Sequence, residues 1–265
     1  MDSVRSADET LIAVKKTGEG PPLVLVHGTV VDHRYWEPIL PELEAHFTVF
    51  AMDRRGRGKS SDASGYKLEL EFEDVAAVID WIDEPVILLG HSYGGTISLE
   101  AALLTEKISK LILYEPQDIY MIENPEDYPH EVISEIGKNI KEGANEQALV
   151  LFLKDLVEMT PEEIESFRST PYWQVMVDAA PTLPREIKAE TEYWFDAEKF
   201  KNLAIPTLLL SGSESPLLFK KDVETLDNTL PDSTVTILEG RAHDAIRKAP
   251  DLFVKKVLAF LLESG

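Results

Sequence analysis

Ser92 lies in Gly90-His91-Ser92-Tyr93-Gly94-Gly95, which fits G-x-S-x-G and follows the apolar run Pro85-Val86-Ile87-Leu88-Leu89. An Ala- and Leu-rich stretch comes next, so the pattern predicts a strand, a sharp turn and a helix. A nucleophile on such a turn sits on a strained backbone, and small flanking residues leave it room. The helix that follows aims its first amides and its dipole at charge developing near Ser92. This is the chemistry of nucleophilic acyl transfer, and a serine hydroxyl needs a base to perform it. His243, in Glu239-Gly240-Arg241-Ala242-His243-Asp244 beyond the last predicted strand, is the candidate. His33, His46 and His130 stand in helical or polar surface contexts, His91 belongs to the turn, and His27 reads as a structural pin. The run Val24-Leu25-Val26 ends in His27-Gly28-Thr29. Gly28 permits a sharp turn that presents the Thr29 amide opposite the Tyr93 amide, a pair suited to hold an oxyanion.

The elements that must position these residues alternate. Leu11 to Lys15 and Pro22 to Val26 flank the turn Thr17-Gly18-Glu19-Gly20-Pro21 and predict a hairpin feeding a buried strand. A helix over Tyr35 to His46 and a strand over Thr48 to Met52 precede an Arg- and Gly-rich loop, Asp53 to Ser61. Leu68 to Ile82 has helical spacing. Pro85 to Gly90 and Ile108 to Tyr114 are continuous apolar runs on either side of a helix over Gly94 to Glu106, as expected of parallel strands covered on both faces. From Pro116 to about Leu203 strand-like runs vanish, and helices are predicted over Pro129 to Lys141 and Asn145 to Met159. Alternation resumes with strands at Thr207 to Leu210 and Thr234 to Leu238 and helices at Leu217 to Leu230 and Leu252 to Leu262. The expectation is one α/β core, residues 1–115 and 204–265, with a helical cap, residues 116–203, inserted after the sixth strand.

Composition narrows the function classes. The chain has 265 residues, 44% of them hydrophobic, and no cysteine. That excludes a thiolate nucleophile, a disulfide scaffold and any cysteine-ligated metal. No apolar stretch approaches the roughly 18 to 20 residues that a membrane span needs. With 48 acidic against 26 basic residues the net charge is −22, which repels phosphate backbones and anionic membranes, so neither nucleic acid nor membrane is expected as a partner. The start, Met1-Asp2-Ser3-Val4-Arg5-Ser6, lacks the basic-then-apolar pattern of a secretory signal, and the expected location is cytoplasmic. Gly58-Lys59-Ser60 has the ending of a phosphate-binding loop, but Asp53 stands where its first glycine is required. Nothing points to a metal or a cofactor.

The order of nucleophile and histidine, the elbow, the His-Gly turn and Asp53-Arg54-Arg55-Gly56-Arg57-Gly58-Lys59-Ser60 together resemble the α/β-hydrolase superfamily over essentially the whole chain. The resemblance implies a mostly parallel eight-stranded sheet with helices on both faces, a structural role for the Asp53 to Ser60 stretch, and a triad acid. Most members carry an Asp three residues beyond a glycine after the seventh strand, where this chain has Ser215 in Gly212-Ser213-Glu214-Ser215-Pro216. Glu214 is one residue off. A second family arrangement puts the acid after the sixth strand, where Glu115 follows Leu111-Ile112-Leu113-Tyr114. Glu115 is favoured for its rigid mount and for Pro116, which ends the strand there, with Glu214 as the alternative. The expected activity is cofactor-free hydrolysis of a small-molecule carboxylic ester or lactone through an acyl-enzyme. A carbon–carbon hydrolase of diketones and a non-enzymatic receptor that keeps the triad are the alternatives. Of the cap aromatics, Tyr120, Tyr128, Tyr172, Trp173, Tyr193 and Trp194, the two tryptophans are the candidate substrate contacts, against a packing role.

Overall fold

The computed structural model describes residues 1–117 and 129–262; Tyr120 and Tyr128 lie outside them. Eight strands form a single sheet in the order β1-β2-β4-β3-β5-β6-β7-β8. They are β1 Asp2–Arg5, β2 Leu11–Thr17, β3 Pro22–Val26, β4 Thr48–Met52, β5 Val86–His91, β6 Ile108–Tyr114, β7 Thr207–Gly212 and β8 Ser233–Leu238. From β4 through β8 every neighbouring pair is parallel, and β2 is antiparallel to both its neighbours, β1 and β4. Every residue of β3 and of β5 is buried, which is why these strands read as unbroken apolar runs. At the sheet edge, β8 leaves Val235 and Ile237 exposed.

The hairpin expected between β2 and β3 does not form. Strand β4 lies between them, antiparallel to β2 and parallel to β3. Both edges of β3 are thereby filled by parallel partners, β4 and β5, an arrangement that a β2–β3 hairpin would exclude. The helix expected over Tyr35 to His46 is a 3₁₀ turn, His33–Trp36, followed by α1, Leu40–Glu44, because Pro38 and Pro41 interrupt a continuous helix. Helix α2, Leu68–Ile82, matches its expected bounds, and α3, Tyr93–Ala101, stops short of Glu106.

The chain divides into two compact units, the first comprising residues 1–28, 32–117 and 194–262 among those described. It contains the whole sheet together with α1 to α3, α9 Ala197–Phe200, α10 Leu217–Thr229, α11 Ala245–Lys248 and α12 Pro250–Leu262. The second comprises residues 29–31 and, among those described, 129–193. Its helices are α4 His130–Lys141, α5 Asn145–Leu151, α6 Pro161–Arg168, α7 Tyr172–Ala179 and α8 Leu183–Glu192. They bury Ile136, Leu149, Phe152, Trp173, Met176, Leu183 and Ile187. A capping box between Thr160 and Glu163 starts α6. No described helix is long and apolar enough to cross a membrane.

Parallel pairing brings the carboxyl ends of β3, β5, β6 and β7 to one edge of the sheet: Val26 pairs with Gly90, His91 with Tyr114, and Tyr114 with Leu210. In open parallel sheets this edge is where ligands bind. The Asp53 to Ser60 stretch closes on itself as a structural loop. The Asp53 carboxylate accepts from the backbone N–H groups of His33 and Lys59 at 2.9 and 2.8 Å, and the Ser60 hydroxyl donates to the Asp53 carbonyl. Close packing at the β5–α3 turn yields a stability prediction. A methyl group on Gly94 would overlap the carbonyl oxygens of Val26 and His27, which are backbone atoms and cannot swing away. Gly94→Ala is expected to lower the unfolding free energy by about 3 kcal/mol or more in a urea melt, as overpacking with backbone displacement does.

Candidate active site

Ser92 occupies the turn between β5 and α3 with φ 58° and ψ −129°, a conformation uncommon for any residue with a side chain. Its N–H donates to the Tyr114 carbonyl at 2.9 Å, and its own carbonyl accepts from the Gly95 N–H at 2.7 Å. Glycines make this possible. Beyond Gly94, a methyl on Gly90 would overlap the Gly94 carbonyl and the Ser98 hydroxyl, and one on Gly28 would come within 3.0 Å of the Ser92 Cβ. The end of β3 therefore runs directly past the serine side chain.

Glu115 ends β6 in the left-handed region, φ 44°, and is wholly buried. That turn is held on both sides. The Glu115 N–H donates to the Leu210 carbonyl at 3.1 Å, and Thr96 exchanges two hydrogen bonds with the backbone of Gln117. The carboxylate then has three donors. Gly212 N–H and the Ser211 hydroxyl donate to Oε1 at 2.7 and 3.3 Å, and His243 Nδ1 donates to Oε2 at 2.7 Å. This bond fixes the His243 tautomer: the proton stays on Nδ1, and Nε2 keeps its lone pair.

The imidazole of His243 is confined by rings. Phe219, from α10, stacks on one side at 4.4 Å with an interplanar angle of 6°, and His91 lies 4.6 Å away. The loop that carries it is clamped by Tyr114, whose hydroxyl donates to the Ala242 carbonyl and accepts from the Ala245 N–H at 3.1 Å. His91 Nε2–H donates to the His243 carbonyl at 3.1 Å. Burial, with a smaller contribution from neighbouring His243, pushes the His91 pKa well below the ordinary imidazole range. His91 is therefore held neutral between the Tyr35 and His243 rings.

Just beyond β3, the Gly28 carbonyl accepts from His27 Nδ1–H at 2.9 Å and from Arg54 Nη1 at 3.0 Å. His27 Nε2 accepts the Arg54 backbone N–H at 3.1 Å. Burial, reinforced by the Arg54 charge, holds the His27 pKa well below the usual imidazole value despite the bond to Gly28. His27 is thus neutral and structural. Thr29 follows, with its hydroxyl buried and making no hydrogen bond.

A strained serine at a strand-to-helix turn, and a histidine from the loop beyond β8 bonded to the glutamate that ends β6, agree with a family comparison. The sequence profile described as "alpha/beta hydrolase fold" matches residues 21–249. The chain belongs to the α/β-hydrolase family. A pimeloyl-[acyl-carrier protein] methyl ester esterase of Legionella pneumophila is 25% identical over 94% of this chain and 99% of its own length. The crystal structure of an α/β hydrolase from Sphaerobacter thermophilus is 31% identical, with a TM-score of 0.86 over 98% of this chain and all of the other. An esterase from Rhodococcus sp. ECU1013 is 25% identical, with a TM-score of 0.78 over 100% of this chain and 99% of the other.

Within the α/β-hydrolase framework, the structure brings Glu115 to His243 and leaves Glu214 exposed, its backbone N–H donating to the Arg241 carbonyl. Ser215, at the position of the usual acid, has a buried hydroxyl without a hydrogen-bond partner. Trp173 is buried in the helical unit, where its Nε1–H donates to Glu146 at 3.2 Å and the Arg168 guanidinium lies 5.2 Å from its ring. Trp194 is 68% exposed. Nothing local in the sequence marks Phe219 or Tyr114 as partners of the histidine loop; only the strand order brings them there. Among the described residues, Asp32, His33 and Asp53 place three possible metal ligands within 4.8 Å of one another. Their carboxylate oxygens already accept from Arg34, His33 and Lys59, so the set is satisfied by protein donors.

The two neutral histidines set an acid sensitivity. Their folded pKa lies below the unfolded value of 6.5, so as pH falls the unfolded chain takes up protons first. The stabilisation is present above about pH 6.5 and declines as pH falls below it. His91→Gln is expected to remove one such contribution, visible as a shallower loss of stability in urea melts across that window. An unchanged slope would contradict the assignment.

Proposed function

We propose that this chain is a cofactor-free serine hydrolase that cleaves carboxylic esters or lactones through an acyl-enzyme. The observation that carries the reading is the 2.7 Å bond from His243 Nδ1 to buried Glu115, which leaves Nε2 as the proton acceptor. In the proposed cycle, Ser92 Oγ attacks the ester carbonyl carbon while its proton passes to Nε2 of His243. The backbone amides of Thr29 and Tyr93 hold the resulting oxyanion. The imidazolium returns its proton to the departing alcohol, and acyl-Ser92 remains. A water deprotonated by Nε2 then releases the carboxylic acid and restores the serine. Glu115 acts in this cycle only as hydrogen-bond acceptor and strengthens its hold on Nδ1–H as the ring becomes charged. The esterase names of the relatives support the bond type, and no metal enters the cycle.

The same reading gives residues 116–203 the role of a cap that sets acyl or alcohol preference. Its support is topological, because this stretch lies in the chain between Glu115, at the carboxyl end of β6, and the start of β7 at Thr207. Trp173 is then a packing residue, while Trp194 offers an exposed ring to a ligand. Trp173→Ala is expected to lower the melting temperature and reduce all rates together. Trp194→Ala is expected to change the ratio of rates between short and long p-nitrophenyl esters. Equal rate changes across the series for Trp194→Ala would remove it from the substrate contacts.

The decisive experiment joins labelling to turnover. A fluorophosphonate should add one covalent group to the wild type and none to Ser92→Ala, and p-nitrophenyl esters or simple lactones should be hydrolysed. Glu115→Gln is expected to lower kcat by about 10³- to 10⁴-fold without unfolding the chain, since the histidine loses its tautomer control. Glu214→Gln is expected to retain most activity. Labelling that persists in Ser92→Ala, or the reverse ranking of the two glutamates, would sink the assignment, and labelling without turnover would favour a receptor.

A further inference from the structure

Arg54 and Glu71 form an ion pair that solvent does not reach. Arg54 Nε and Nη2 donate to the two carboxylate oxygens at 2.8 and 2.7 Å, and the Tyr66 hydroxyl donates to the same carboxylate at 2.8 Å. Burial raises the Glu71 pKa, but the Arg54 charge together with the hydrogen bonds from Arg54 and Tyr66 outweighs it and holds the group below the ordinary carboxylate value. Buried pairs of this kind contribute little net stability compared with apolar residues of the same volume. Stability is therefore a weak reason for this pair, and what the guanidinium touches next is more informative.

The remaining nitrogen, Nη1, donates to the Gly28 carbonyl at 3.0 Å. The Arg54 backbone N–H holds His27 Nε2, which keeps the His27 proton on Nδ1, and that proton goes to the same carbonyl at 2.9 Å. Both donors on Gly28 thus trace back to Arg54. The guanidinium also lies 4.6 Å from the centre of the Tyr93 ring, and the Tyr93 hydroxyl is 2.9 Å from that of Tyr66. One side chain therefore reaches the peptide that precedes Thr29 and the ring of the residue that follows Ser92.

We infer that Arg54, fixed by Glu71, is a positioning residue that aims both amides of the oxyanion site; this rests on the serine-hydrolase reading above. A trans peptide is planar, so its N–H points opposite to its C=O, and locking the Gly28 carbonyl locks the direction of the Thr29 amide. Two donors on that carbonyl also polarise the peptide and strengthen its N–H. The Tyr93 amide is held through its own buried ring. Donors aimed in advance stabilise a developing oxyanion more than donors that must turn towards it. Arg54 acts through these two amides and takes no part in proton transfer.

Two variants test this. Arg54→Lys keeps the charge and loses the planar fork. Arg54→Met combined with Glu71→Gln removes both charges, so that no carboxylate is left buried alone. Fluorophosphonate labelling carried to completion counts active sites, and turnover of p-nitrophenyl butyrate is expressed per labelled site. The expected result is a fall in kcat on the order of 10- to 100-fold in both variants, with KM changed by less than about threefold. Affinity for an alkyl trifluoromethyl ketone, which forms a tetrahedral adduct with an oxyanion, should fall by the same factor as kcat/KM. A merely structural role would lower the melting temperature and the labelled fraction but leave per-site turnover and ketone affinity at the wild-type level. That outcome, or failure of both variants to fold, overturns the inference. If the wild type takes no label, the serine-hydrolase reading itself fails and this inference falls with it.

Discussion

The site depends on holding Ser92 at φ 58° and ψ −129°, a backbone state that costs on the order of 1–3 kcal/mol and relaxes unless its neighbours forbid it. Three contacts forbid it. The β6 carbonyl of Tyr114 takes the serine N–H, the first turn of α3 takes the serine carbonyl, and the glycine faces of Gly28, Gly90 and Gly94 fill the space into which the turn would open. These contacts draw on β3, β5 and β6, the strands whose ends bear the His-Gly turn, the serine and Glu115. The strain is local, but the structure that maintains it is the centre of the sheet.

Two buried carboxylates illustrate how the same charge serves different ends. Glu71 is paired with Arg54, which stays protonated at any accessible pH, so their interaction is permanent and suits a fixed frame. Glu115 is paired with His243, an imidazole, which unlike a guanidinium exists in both a neutral and a cationic form. Its bond therefore gains strength when the ring gains a proton, which is the behaviour the proposed base needs from its partner. Both carboxylates are wholly or almost wholly buried, and the chemical difference lies in the partner and not in the acid.

What the sequence discloses and what it withholds follow from range. The elbow, the His-Gly turn and the histidine loop are written in adjacent residues, because a tight turn imposes its own requirements on its neighbours. Strands β4 and β6 and helix α2 were legible for a similar reason, since burial on one or both faces leaves a periodic trace. The acid was not decidable in this way. Glu214 is far nearer to His243 along the chain than Glu115, yet sheet order seats Glu115 against it and turns Glu214 to solvent. The expected β2–β3 hairpin failed because local turn signals cannot reveal that β4 will enter between two strands. The ring of Phe219 against His243, and the reach of Arg54 to Gly28, are long-range contacts with no local signature.

Every hydrogen-bond partner of the Glu115 carboxylate comes later in the chain: Ser211 and Gly212 are 96 and 97 residues downstream, and His243 is 128. During synthesis, strands β1 to β6 emerge first and could begin to pack. A carboxylate at the tip of β6 cannot be sealed into that nascent core without a partner, because burying it alone is far too costly. The early sheet must therefore keep this corner open to water until β7 arrives with its amide. The histidine is the last of the carboxylate's partners along the chain, so the histidine–glutamate pair is completed only when the residues beyond β8 are in place.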